Sequence, residues 1–111
     1  LLETLKTLNV PLFATVDHAA NARAAGLFMP ETRVAFFGKP AVGTHLMLER
    51  PEVALELPLR IVISEVPGEG TMLFMPDILW LAHRYGIDPQ LDSLRKTLGF
   101  MALVSDKVCG D

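Results

Sequence analysis

The sequence predicts an α+β domain, a two-layer sandwich in which helices pack on a mixed, mainly antiparallel sheet. Three observations predict it. Short β-prone runs at residues 11–16, 32–37 and 59–64 alternate with segments of helical period. The turn Pro67-Gly68-Glu69-Gly70 joins the third run to residues 71–74 as a hairpin. The chain has 111 residues and a mass of 12.2 kDa, enough for one core and one domain over 1–111.

Each element has a local reason. Leu2, Leu5 and Leu8 recur at helical spacing and Asn9 reads as a stop, so a first helix is expected over residues 1–9. The strand at 11–16 follows, and Asp17 caps an alanine-rich helix that runs to Ala25 and closes at Gly26. Residues 32–37 read as a second strand. Thr44 is expected to cap a short helix through Leu48, with Pro51 ending it. After the hairpin, Asp77 caps a helix with Ile78, Leu81, Ala82 and Tyr85 inward and Gly86 as its stop. Asp88-Pro89 is expected to start the last helix, which presents Leu91, Leu94, Leu98, Met101 and Ala102 to the core. From Leu98 to Val104 that helix is apolar nearly all round, apart from Gly99, as in a helix buried on more than one side.

Composition narrows the function. Half the residues are hydrophobic and the mean hydropathy is +0.35, high for so short a chain. Charged residues still interrupt every apolar run, so no membrane span is expected, and the chain reads as soluble, cytoplasmic or periplasmic. The surplus of apolar residues points to a partner subunit or a ligand pocket. The net charge of −3 and the scattered Lys and Arg disfavour nucleic acid. Cys109 stands alone, without a disulfide or zinc-type partner, and reads as a tail thiol. The chain starts at Leu1 without an initiator Met, so a trimmed or disordered N-terminus is expected.

Several blocks, in order, carry a resemblance. They are Phe13-Ala14-Thr15-Val16-Asp17-His18-Ala19-Ala20-Asn21-Ala22, then Ala25-Gly26-Leu27, then Phe37-Gly38-Lys39-Pro40-Ala41-Val42-Gly43-Thr44. Leu46-Met47, Pro51, Leu57-Pro58-Leu59-Arg60, Leu81-Ala82 and Arg84 follow. No single block is specific, but their order and spacing resemble the DUF302 family, a domain of unknown function. The resemblance implies a compact α+β domain, often dimeric, with no established catalytic set. Three departures stand out against the family pattern. Lys39 replaces an Asn in Gly-Asn-Pro, His45 replaces the Pro after Gly-Thr, and Phe74-Met75-Pro76-Asp77 replaces Ser-Tyr-Asn-Asp. A site that is polar in the family would be more apolar here, with an added cation and imidazole.

The candidate binding residues are His45, His18, Lys39, Phe37, Met47 and Met75, with a pocket expected near residues 37–45. His18 stands at a helix start, where a neutral imidazole could serve as base or ligand, whereas Asp17 beside it is adequately explained as a cap. The 38–44 loop fits neither the P-loop nor the dinucleotide fingerprint. His45, Met47, Met72, Met75 and His83 supply the ligand types of haem and copper, although methionine most often fills core gaps. Covalent haem is excluded because no CxxCH occurs. Non-covalent haem, with His45 as the iron or metal ligand, is the cofactor expected. Trp80 lies off the inner stripe of its helix and is expected against a second subunit. No Gly-x-Ser-x-Gly and no convincing carboxylate pair occurs, which leaves a hydrolase without parts.

The sequence therefore reads as a small-molecule- or cofactor-binding domain acting as a homodimer. Two alternatives stand beside it. One is an enzyme on a small organic molecule, with His18 or His45 as base and Lys39 as the anion or carbonyl partner. The other is a structural interaction module without a ligand.

Overall fold

The computed structural model describes residues 6–109, with side chains to 108. The strands are β1 (Leu12–Asp17), β2 (Thr32–Phe37), β3 (Leu59–Val66) and β4 (Gly70–Phe74). The helices are α1 (His18–Ala24), α2 (Pro40–Glu49), α3 (Ile78–Tyr85) and α4 (Asp92–Cys109), with a 3-10 helix at Pro51–Glu56. The four strands form one sheet in the order β1-β2-β3-β4. Every pair is antiparallel, so the parallel pairing that a mixed sheet requires is absent among the described residues. The connections explain this. α1 leads the chain back so that Asp17 at the end of β1 stands opposite Arg33 at the start of β2, and α2 packs against the 3-10 helix in an out-and-back excursion that returns the chain to the end it left.

Alternation along the strands makes two unlike faces. Ala35 and Phe37 of β2 and Leu59 and Ile61 of β3 point to the helical layer, with Ala35 opposite Ile61 and Phe37 opposite Leu59. They meet Leu46 of α2, Val53 of the 3-10 helix, Leu81 and Ala82 of α3, and Leu94, Met101 and Val104 of α4. Phe37 has no exposed surface and meets Phe100 at 5.8 Å between ring centroids, tilted by 57°. Burial of one such side chain contributes about 1.5–3 kcal/mol. The other face carries Val16, Val34, Phe36, Val62, Met72 and Phe74, interrupted by Thr32, Arg60 and Ser64. Phe74 and Met72 are left exposed there.

The end signals held in most elements. The Asp17 carboxylate accepts from Ala20 N at 3.0 Å and Asp77 from Trp80 N at 3.1 Å. Gly86 closes α3 at φ 66°. Asn9 takes φ 58° and its N–H donates to Lys6 O at 3.1 Å, so the expected stop is real. Residues 1–5 of the expected first helix lie outside the described residues.

Two starts differ from expectation. α2 begins at Pro40, four residues ahead of Thr44, with Lys39 in the cap position and no side-chain cap. Proline is favoured at a first helical position because its missing N–H costs no hydrogen bond there. α4 begins at Asp92 instead of Pro89: the Asp88 carboxylate accepts from Gln90 N at 2.9 Å, which ties residues 88–90 into a turn. Ala102, expected inward, faces out, and Leu103 is exposed, so α4 is buried on one side.

Candidate functional site

Where β2 passes into α2 the polypeptide surrounds an apolar cavity of about 310 Å³. Phe13 of β1 and Phe37 and Leu59 of the sheet form its floor. Val42, Gly43, Leu46 and Met47 of α2 form one wall, and Ala54 and Leu57 of the 3-10 segment the other. The early start of α2 builds this place. Because the helix begins at Pro40, both Val42 and Leu46 lie on its sheet-facing side, one turn apart. Gly43 opens the same side, since a Cβ there would come within 3.8 Å of Leu57 Cδ1. Gly38 fastens the floor by donating its N–H to Pro11 O at 3.2 Å.

The polar groups of the cavity are few. Lys39, Thr44 and Thr97 are its polar side chains, and no carboxylate lines it. Thr97 is buried on α4, and its hydroxyl donates to Ser93 O at 2.8 Å, which leaves only its lone pairs to the cavity. Lys39 is exposed at the mouth, and among the described residues no acidic group lies within 4.0 Å of it.

A second cavity of about 330 Å³ adjoins the first, with Gly38, Lys39, Val42, Leu59 and Thr97 common to both. It extends along α4 past Lys96 and Gly99 to Phe100 and Leu103. A third cleft, of about 480 Å³, lies between α2 and the start of α4 among His45, Glu49, Asp92, Ser93 and Lys96, and shares Val42 with the first two.

The expected residues divide among these places. Phe37, Lys39 and Met47 line the apolar cavity. His45 does not: with α2 begun at Pro40 it stands at mid-helix, exposed, and lines the third cleft. Met75 packs half-buried against the core and lines none of the three cavities. His18 is exposed at the start of α1, also away from them. Its neighbour Asp17 caps α1 and pairs with Arg33 Nε across the strands at 3.6 Å, a structural role. His18, His45 and Lys39 therefore share no volume, and the enzyme built on them has no assembled site.

Haem is poorly suited to this lining. An axial ligand would have to come from the Met47 thioether, since no histidine faces the cavity. Among the described residues no three His, Cys, Asp or Glu side chains stand close enough to hold a metal ion. Trp80 is more than half exposed.

Sequence reasoning missed Phe13, Ala54, Leu57 and Thr97. Thr97 had a usable signal, a hydroxyl on the same stripe as Leu94, Met101 and Val104. Ala54 and Leu57 depend on the 3-10 helix, which carries no periodic pattern to read, and Phe13 enters through the pairing of β1 with β2.

A four-stranded antiparallel sheet with helices packed on it and a cavity at the β2–α2 junction defines a small α+β domain. The chain belongs to the DUF302 family, "Domain of unknown function DUF302", whose profile matches residues 1–102. The fold is similar to the crystal structure of an uncharacterized conserved DUF302 protein from Bacillus stearothermophilus, with a TM-score of 0.72 and 20% identity over 86% of this chain and 74% of that one. The chain is also similar to the fluoride-specific ion channel FluC 1 of Brucella suis biovar 1 (strain 1330), 34% identical over 93 residues, or 84% of this chain and 37% of that protein. The same identity and share of this chain hold against FluC 1 of Brucella abortus biovar 1 (strain 9-941), of which 34% is covered. The chain thus spans about a third of the length of these curated relatives.

Proposed function

We propose that this protein is a small-molecule-binding domain that works as a homodimer. The observation that carries the reading is the 310 Å³ cavity at the β2–α2 junction. It lies within the size range of ligand sites, its walls are apolar, and its polar side chains are few. The dimer is supported by the second sheet face, where Val34 is covered but Phe74 remains 50% exposed on the edge strand. The Cα radius of gyration, 15.2 Å, exceeds the about 13 Å expected for a compact chain of this length. That openness suits a domain completed by a second copy.

The relatives favour a compatible second reading, in which the domain is an accessory unit of a larger protein. Their printed name is that of a fluoride channel, and about a third of their length corresponds to this chain. No helix among the described residues is long and apolar enough to cross a membrane, so a helical pore would come from the remaining part of such a protein.

The cavity is tested with a neutral fluorescent probe, 1-aminoanthracene. The wild type should enhance its fluorescence saturably, and Gly43→Phe, which plugs the wall toward Leu57, should remove that signal while leaving the far-UV circular dichroism unchanged. Binding that survives the plug, or none in the wild type, overturns the reading.

A further inference from the structure

The two adjoining cavities differ in charge in a way that names a ligand class. The first holds no charged side chain apart from Lys39 at its mouth, and the second adds Lys96. No Asp or Glu lines either one. Resting on the reading of the first cavity as a ligand site, we propose that the pair binds a medium-chain amphiphile with an anionic head, of the fatty-acid type. The acyl tail occupies the first cavity, between the aromatic floor and α2. The carboxylate lies at the junction, between Lys39 and Lys96.

Three features support this placement. The first is size. A volume of 310 Å³ equals about ten water-sized units of ~30 Å³, and a methylene is of similar bulk, so a tail of about eight to ten carbons fills it. The second is charge. Lys39 has no acidic partner among the described residues, whereas Lys96 is held by Asp92 at 3.1 Å on an exposed surface. Lys39 is thus the principal partner of the head. The third is space for the head. A Cβ at Gly99 would meet nothing within 4 Å, so the second cavity is open beside α4.

Calorimetric titration of the full chain with octanoate, 1-octanol and octylammonium, all below micellar concentration, tests the assignment. Octanoate should bind more tightly than the other two, and affinity should rise about fourfold per methylene from hexanoate to decanoate. Lys39→Gln should weaken octanoate about fivefold, the upper range for an exposed ion pair, and leave 1-octanol unchanged. Added salt should shrink the preference for octanoate more in the wild type than in Lys39→Gln, which keeps only Lys96. If 1-octanol binds as well as octanoate, or Lys39→Gln has no effect, the anionic head is overturned while the cavity stands. If octylammonium binds best, the charge assignment is reversed and the proposal falls. If none binds, the cavity reading falls with it. Cosedimentation with phosphatidylglycerol vesicles, without octanoate binding, would place the cations on a membrane surface and also overturn the proposal.

Discussion

His45 shows how far one residue's role depends on where its helix begins. Read with a cap at Thr44, its imidazole belongs to a first turn and faces the glycine-rich loop. With Pro40 as first residue, the same side chain is carried round to the outer cleft beside Glu49. Its replacement should therefore matter little. His45→Ala is expected to change the unfolding free energy by no more than about 0.5 kcal/mol in a urea titration, because the site is exposed and Ala is the better helix former. The mutant should bind 1-aminoanthracene as the wild type does. Phe37, Lys39 and Met47, by contrast, were legible as cavity residues, because a strand ending in Phe-Gly and entering a helix must bring its last inward side chain against the first turns that follow.

At the scale of elements, the signals that held are those in which a side chain or a glycine has a single local duty. Asp17, Asp77 and Gly86 each act within three or four residues of chain, so sequence suffices to find them. Pro40 and Asp88-Pro89 are ambiguous: proline tolerates both a turn and a helix start, and distant packing decides between them. Two glycines make the distinction measurable. Gly86 has φ 66°, and an added Cβ would lie 3.6 Å from Arg50 Nε, an ordinary contact. Gly86→Ala should thus lose about 1 kcal/mol from backbone strain alone. Gly99 lies inside α4 with free space around it, and Gly99→Ala should gain about as much from helix propensity. Thermal melts of the two variants should shift in opposite directions.

For the molecule as a whole, the α+β class, the hairpin and the single core were open to sequence reasoning because period and turn chemistry are local. The cavity walls were not, since they join β1, α2, the 3-10 helix and α4 across the chain. The homodimer belongs to this scale too. Light scattering should give twice the 12.2 kDa chain mass, and Phe74→Glu, opposite Val62 on the open sheet face, should reduce it to one chain without unfolding the domain. A monomeric wild type would remove the dimer. The strand order β1-β2-β3-β4 has a further consequence, in time instead of space. Each strand pairs with its neighbour in sequence, so assembly can proceed by zipping and no early loop closure spans the chain. The β3–β4 hairpin, closed by three residues, should form within about 1–10 μs, and the 21-residue excursion between β2 and β3 should close after it. In stopped-flow refolding, truncating Leu73 should then slow folding, whereas truncating Val16 on the far strand should mainly speed unfolding.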